Sequence, residues 1–341
     1  MFTQLWQRLV GARPAPPEAS QSSALPVPAA AATEEPQLPI APGDDLALAT
    51  EQSLRRSLEW RCELLMKHAS PGAQAGDGPR LVESLREARD SVIRQPPDAA
   101  ARALRVVSNP NSPLHAVVAL FEADPMLAQA LLRQANSVFY RRGDSTVSSL
   151  SAAVQHVGSK AVQSVLMGSL VQTTLCRPGG VYDALVSKVW THMQRTAPIA
   201  RAIARAFEVD PETAFSHALL HDVGKLVIFD HISTLRHRER REPRIQDALF
   251  WQMLRHLHEP LGGLAALRWG MGGEAAHAIS EHHRGVPPAR PDRMTECLYV
   301  SERIELAHAN FTALDWERLW QEGAITADRA AVEERFAAFE H

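Results

Sequence analysis

An adjacent histidine and aspartate, His221 and Asp222, lie near the end of an apolar helical run and just before Gly224 and Lys225. Imidazole nitrogens and carboxylate oxygens are ligands for divalent metals such as zinc, iron and manganese. A bound metal lowers the pKa of a water molecule, which can then attack phosphorus. The lysine that follows is close enough to contact a phosphate. These residue types at this spacing indicate metal-dependent phosphate chemistry.

Histidines are concentrated in one part of the chain. Ten of the 15 fall between positions 192 and 283, namely His192, His217, His221, His231, His237, His256, His258, His277, His282 and His283. Taken singly, each is explained more simply as a core, boundary or surface residue than as a ligand. His217 and His221 are one helical turn apart on one face, but the HExxH pattern of zinc proteases is missing around His217. Their occurrence as an ordered set is what favours a metal site.

The whole chain has the composition of a globular protein. With 341 residues, of which 45% are hydrophobic, it can form one large domain with appendages. A formal net charge of -3 gives no overall attraction to nucleic acid or acidic membranes. Three widely spaced cysteines, Cys62, Cys176 and Cys297, exclude a disulfide framework and fit a reducing compartment. No apolar run approaches the roughly 18–20 residues that span a bilayer, and no secretory signal is present, so we expect a cytoplasmic protein without a transmembrane segment.

The elements that must position these residues are predicted to be helices. Residues 1–45 stand apart as a Pro- and Ala-rich segment, which cannot bury enough apolar surface to offset its ordering entropy. We therefore expect this segment to be disordered. Beyond it, apolar residues recur at the helical period, and the alternating patterns typical of strands are few. The sequence predicts an all-α fold.

Several helix boundaries can be predicted from local signals. Ser112, Asp124 and Asp210 each precede a proline, which is the pattern of an N-cap side chain followed by Pro at the first helical position. Gly158 predicts the end of one helix, and Ser159 predicts the cap of the next. These signals set the predicted boundaries of the helices that precede the histidine–aspartate pair.

The order of His192, the His221–Asp222 pair and a later acidic residue resembles the HD superfamily of metal-dependent phosphohydrolases. The flanking sequence is similar to its HDOD branch, in the same order along the chain, over Asp124–Ser137, Val147–Gly158, Val189–His192, Ala218–Lys225, His258–Gly262, Trp269–Gly270 and Ile279–His283. The resemblance covers roughly residues 94–310 and implies a multi-helix, HD-like (HDOD) domain. It leaves 46–93 as a helical extension and 311–341 as C-terminal helices.

The resemblance also implies a set of ligands. His192, His221 and Asp222 match the first metal ligands of the family, and Glu302 stands where the family has its closing Asp. Lys225 matches the basic residue that contacts phosphate. The extra ligands of binuclear relatives are matched by His258, His282 and His283. The resemblance therefore implies a divalent metal, namely iron, manganese or magnesium.

Two departures from the catalytic pattern bear on function. Glu302 is one methylene longer than the expected Asp, and Arg284–Pro288 replaces the Gly-Tyr-Pro signature of HD-GYP cyclic-di-GMP phosphodiesterases. The HDOD branch is regarded as regulatory, so the favoured hypothesis is a non-catalytic bacterial signalling module that binds a partner protein. The alternative is a metal-dependent phosphohydrolase acting on a nucleotide or cyclic dinucleotide. We expect no DNA binding, because the connection over 136–147 is too long for a helix-turn-helix motif.

Overall fold

The described part of the chain is built from helices. The computed structural model describes residues 49–340, apart from positions 73, 75, 90, 96, 97, 142–145, 178, 181 and 284–291. No strand occurs among these residues, which confirms the all-α prediction. The disorder predicted for residues 1–45 concerns a segment that lies outside the described residues.

The helices are numbered here in chain order. The first half of the fold contains α1 (Glu51–Lys67), α2 (Gly78–Glu87), α3 (Asp98–Ser108), α4 (Leu114–Glu122), α5 (Pro125–Ala135), α6 (Leu150–Val157) and α7 (Ser159–Leu175). The second half contains α8 (Asp183–Ile203), a 3-10 turn (Ala204–Phe207), α9 (Pro211–Leu220), α10 (Val223–Glu239), α11 (Asp247–Arg268), α12 (Gly273–Ser280), α13 (Arg293–Ala309), α14 (Trp316–Gly323) and α15 (Arg329–Glu340).

Side chains cap two of the three helix starts that were predicted from proline. The Asp124 carboxylate accepts hydrogen bonds from two backbone N–H groups at the start of α5, and Asp210 accepts one at the start of α9. The prediction for Ser112 is wrong. Pro113, with extended backbone, is the residue immediately before α4, so the helix begins one residue later than predicted and has no side-chain cap.

Gly158 separates two helices in the middle of the chain. Its φ of 81° lies in the region that glycine adopts without steric cost. The prediction that a helix ends at Gly158 is confirmed. The prediction that Ser159 caps the next helix is wrong, because Gly158 itself occupies the cap position and α7 begins at Ser159.

Two hydrophobic cores organise the helices. The smaller core is formed by α3–α7 around Phe121 and Leu131. The larger core contains the helices that carry the predicted ligands, and α1 and α2 pack into it through Leu58 and Leu85. Val332 of α15 belongs to the same core. The extension and the C-terminal helices therefore share one apolar interior with the predicted site.

The hydrophobicity of the helices bears on membrane insertion. No single helix in the described ranges is long and apolar enough to cross a membrane. Helices α4 and α5 reach the length and apolar composition of a membrane span only when they are counted as one segment, and their axes are bent by 118° to each other.

Close packing of α10 against α11 brings two parts of the predicted site together. Gly224 lies at the crossing, where a Cβ atom would be 1.9 Å from the His258 carbonyl oxygen and 2.8 Å from the Gly262 nitrogen. No side chain fits between backbones this close. The crossing sets Asp222 and Lys225, which lie within two residues of Gly224, beside His258.

Replacing Gly224 with alanine is expected to destabilise the fold by about 3 kcal/mol, because the added methyl group forces α10 and α11 apart. Gly168→Ala is the matched control, since Gly168 is also helical and its nearest neighbour would be the movable end of Leu219 at 3.1 Å. We expect the control to stay within about 1 kcal/mol of the wild type in urea unfolding. Equal stability of the two variants would contradict the close crossing.

Candidate metal centre

The histidine–aspartate pair occupies the junction of two helices. His221 directly follows α9, and Asp222 directly precedes α10. Asp222 therefore lies at the N-terminus of α10, where the helix dipole favours a negative charge. Lys225 lies in the first turn of the same helix. All three residues are at most 1% exposed, so their polar groups are shielded from water.

The other predicted ligands come from four further segments. Helix α8 provides His192, α11 provides His258 and α13 provides Glu302. His282 and His283 lie in the turn that follows α12. The structure brings all seven predicted ligands together, and all except His283 are at most 1% exposed. The His283 side chain is 18% exposed.

One group of ligand atoms lies on the Oδ2 side of Asp222. His192 Nε2 is 3.2 Å from His221 Nε2. These two nitrogens are 3.9 Å and 3.6 Å, respectively, from Asp222 Oδ2. Glu302 Oε1 is 3.9 Å from His192 Nε2, but the ligand atoms that lie close to Glu302 as a group are those of His221 and His282. Because metal–ligand bonds measure about 2.0–2.2 Å, two ligands of one ion lie within about 4.4 Å of each other, and the spacings among His192, His221 and Asp222 fit one divalent ion.

A second group lies on the Oδ1 side of the same carboxylate. Asp222 Oδ1 is 3.6 Å from His258 Nε2 and 3.7 Å from His282 Nε2. Together with His283, these residues offer ligand atoms that all lie within 4.8 Å of one another. Asp222 therefore lies between two candidate metal positions and presents one oxygen to each.

Unpaired ring nitrogens support the fit of a metal to these residues. His258 is completely buried, yet neither of its ring nitrogens has a hydrogen-bond partner among the described residues. His282 Nε2 is also buried without a partner there. Buried polar atoms without partners are costly and rare in folded proteins. A metal ion that accepts the lone pair on the Nε2 of each ring would remove that part of the cost.

Backbone carbonyl groups hold two of the rings in the tautomer that a metal needs. His221 Nδ1 donates to the Ala218 carbonyl oxygen at 2.7 Å, and His282 Nδ1 donates to the Ile279 carbonyl oxygen at 2.7 Å. With the proton on Nδ1, each Nε2 keeps a lone pair on the side of Asp222.

Glu305 is a residue of the centre that the sequence interpretation missed. Its carboxylate accepts a hydrogen bond from His192 Nδ1, and both side chains are buried. A carboxylate behind a ligating histidine fixes the ring and raises its basicity. The available signal was spacing, because Glu305 lies one turn after Glu302 on the same face of α13.

Lys225 is placed as the counterion of Asp222. Its Nζ lies 2.8 Å from Asp222 Oδ2 and 2.7 Å from Oδ1. Burial alone would raise the pKa of Asp222, but the Lys225 charge, together with the nearby histidines, outweighs burial and holds that pKa well below its usual value. Asp222 is therefore ionised. The contact between Lys225 and a phosphate stays a prediction.

The electrostatics favour the neutral form of His221 and His258 and the charged form of the carboxylates. Burial lowers the pKa of His221 to about 3 and that of His258 well below its usual value. Burial would raise the pKa of Glu302, but His283 beside it outweighs this and lowers it. Neutral imidazole and ionised carboxylate are the forms that bind metals. His221, His258, Asp222 and Glu302 are thus held in the form that binds a metal. For His282, burial lowers the pKa but the nearby carboxylates outweigh it and raise it.

Five further histidines of the sequence cluster belong to none of the groups of close ligand atoms found in the described part of the chain, namely His217, His231, His237, His256 and His277. His231 Nε2 hydrogen-bonds with Ser84 Oγ at 2.9 Å, and His277 Nε2 lies 2.9 Å from Asp292 Oδ2. Such contacts agree with the simpler interpretation of single histidines, in which they are core, boundary or surface residues and not ligands.

The fold and the site together define the class of this protein. It is an all-helical domain with an HD-type histidine–aspartate centre at a helix junction. The family model of the HDOD domain matches residues 93–285, which is more than half of the chain. The chain therefore belongs to the HDOD domain family. This confirms the resemblance found in the sequence.

Known proteins share the fold at low sequence identity. A "Putative phosphohydrolase" from Shewanella amazonensis SB2B is 20% identical with a TM-score of 0.56, over 76% of this chain and 93% of that one. A "Putative signal transduction protein" from Marinobacter aquaeolei VT8 is 19% identical with a TM-score of 0.51, over 86% and 64%. An "Uncharacterized protein" from Treponema pallidum (strain Nichols) is 24% identical over 217 residues, and the match spans 60% of this chain but 40% of that protein. The solved structures establish the fold alone.

Removing the charge of Asp222 is expected to leave Lys225 as an unpaired buried cation. Asp222→Asn should therefore destabilise the fold by about 3–5 kcal/mol. The matched control combines Asp222→Asn with Lys225→Met, which removes both charges and should recover most of that loss. Urea unfolding of the metal-free proteins measures the difference. Equal stability of the single and double variants would show that the two charges do not depend on each other.

The same pair predicts how stability varies with pH. The pKa of Asp222 in the folded protein is held below the unfolded value of about 3.9, so its contribution is fully present above that pH and is lost as the pH falls through the folded value. The stability of the wild type relative to the double variant should therefore stay constant from about pH 5 to pH 8 and fall below about pH 4. Urea unfolding across this range checks it, and a wild type that became more stable relative to the double variant on acidification would contradict the assignment.

Proposed function

We propose that this protein is a bacterial signal-transduction module whose helical domain acts as an interaction or output element and does not itself hydrolyse a substrate. The observation that carries the proposal is the closure of the centre. Among the described ligands only the His283 side chain is partly exposed, at 18%, and Lys225 is paired with Asp222. A hydrolase needs a cleft for its substrate beside the reacting groups. Membership of the HDOD family agrees with the proposal.

A divalent metal fits this proposal as a structural element. His192, His221 and Asp222 would hold it on one side of the carboxylate, and the second position would use His258, His282 and His283. The histidine-rich donor set favours iron or manganese over magnesium, which prefers oxygen ligands. Because the ligands come from separate helices, a bound ion would link them and stabilise the folded state by mass action. Metal occupancy would then be a signal that a partner protein reads.

A metal-dependent phosphohydrolase acting on a nucleotide or cyclic dinucleotide is the second candidate. The position of Asp222 between two groups of ligands favours it, because paired metals are common in sites that hydrolyse phosphoesters. When bound, the metal supplies Lewis acidity and lowers the pKa of a water molecule. In this chain Lys225 would have to leave Asp222 to contact a phosphate, and Glu302 would reach a metal together with His221 and His282.

The proposal also assigns parts of the chain and a setting. Residues 94–310 would form the HDOD unit, with 46–93 and 311–341 as helical additions that pack on the larger core. The partner would be a signalling protein rather than DNA, and the protein would act in the cytoplasm. Of these assignments, the structure supports the packing of the two additions against the larger core.

Metal content and turnover, measured on the same preparation, test the proposal. The protein is purified without a metal-affinity tag, reconstituted with iron or manganese, and assayed with bis(p-nitrophenyl) phosphate and with cyclic di-GMP. We expect about one or two metal equivalents per chain, because each oxygen of Asp222 faces one group of ligands. We also expect no turnover above that of a His192→Ala, His258→Ala control, which lacks one ligand of each group.

Two results would count against these functions in different ways. Less than about a tenth of an equivalent after reconstitution would remove the metal from both candidates. Stoichiometric metal with turnover that the control variant abolishes would overturn the non-catalytic function and support the phosphohydrolase.

A further inference from the structure

The helical extension reaches the metal centre through one arginine. Arg61 lies in α1, and its Nη1 donates to Glu259 Oε2 at 2.7 Å and to the His256 carbonyl oxygen at 3.1 Å. Both acceptors are in α11. The arginine side chain is 20% exposed and that of Glu259 is 9% exposed. A charge-assisted pair so far removed from water holds its geometry more firmly than a surface pair.

A proline inside α11 bears on this contact. Pro260 has no N–H group, so it cannot donate the usual helical hydrogen bond to the His256 carbonyl one turn earlier. Arg61 donates to that carbonyl from α1. The turn of α11 that carries His258 therefore receives one hydrogen bond from the extension.

The second oxygen of Glu259 connects this contact with the ligand turn. Glu259 Oε1 accepts the backbone N–H of His283 at 3.3 Å. Glu259 is also the neighbour of His258 in α11. The carboxylate thus joins the two segments that carry His258, His282 and His283, while Arg61 holds the carboxylate in place.

We propose that Arg61 is a positioning residue for the second ligand group and that it acts through Glu259 on the turn at 282–283. The inference rests on the proposed metal centre and deepens it, because it assigns the extension a role in metal affinity. The first ligand group has its own support, since Glu305 orients His192. A partner that displaces α1 would therefore change the second metal position without touching its ligands.

Manganese titration of single-position variants tests the proposal. In a His192→Ala background, which disrupts the first group, Arg61→Ala should weaken manganese binding by about 10–100-fold, the usual effect of losing a residue that orients ligands. In a His258→Ala background it should leave binding unchanged. Arg61→Lys should restore most of the affinity, because one nitrogen makes both hydrogen bonds. Arg55→Ala is the matched control, since Arg55 lies in the same helix and pairs with Glu51 at the surface.

Hydrogen exchange of the metal-free protein gives a second readout that needs no metal. Amides of the segment 279–283 should exchange faster in Arg61→Ala than in the wild type and should return toward wild-type rates in Arg61→Lys. The segment 329–340 in α15 serves as an internal reference and should not change.

Two outcomes would overturn the positioning role. One is unchanged exchange over 279–283 in Arg61→Ala. The other is an equal rise over 279–283 and 329–340, which would make Arg61 a general stabiliser of the fold. If the wild type binds no manganese, the proposed metal centre fails, and the exchange rates alone then decide whether Arg61 positions the turn.

Discussion

A buried carboxylate that stays charged, that of Asp222, is the constraint on which the rest of the centre depends. Its side chain has no exposure to water, and the nearly fully buried ammonium of Lys225 contacts both of its oxygens. An isolated buried charge is costly, so each group requires the other. The junction of α9 and α10 places both at the start of one helix, and the absent side chain of Gly224 lets α11 approach. Helix packing and electrostatics therefore specify the same arrangement.

The charge balance of the interior extends beyond this pair. The carboxylates of Asp222, Glu302 and Glu305 are buried together, and the ammonium of Lys225 balances one of them. Burial would lower the pKa of His282, but Asp222 and the nearby carboxylates outweigh burial and raise it, which shows that this part of the interior favours positive charge. A divalent cation would supply such a charge. The excess of negative charge is a physical reason for this interior to bind a metal.

Helical periodicity predicted the all-α fold, and the order of the histidines predicted the residues that meet around Asp222. The contacts of Glu305 and Arg61 could not be predicted in the same way, because each acts on a partner more than 100 positions away. Spacing placed Glu305 on the same face as Glu302 but did not identify His192 as its partner. Lys225 was assigned to phosphate by resemblance, whereas burial directs it to Asp222. The cap predicted at Ser112 is wrong by one residue, because Pro113 keeps an extended backbone and the helix begins at Leu114. Local patterns thus predict helices and motif residues, and tertiary packing decides what each motif residue contacts.

The most direct test of the metal centre is anomalous X-ray diffraction from crystals of the protein grown with manganese. The arrangement of ligands predicts a peak on each side of the Asp222 carboxylate, at about 2.0–2.6 Å from the ligand atoms. One peak should contact His192 and His221, and the other His258 and His282. The absence of any peak within about 4 Å of Asp222 would contradict the metal centre.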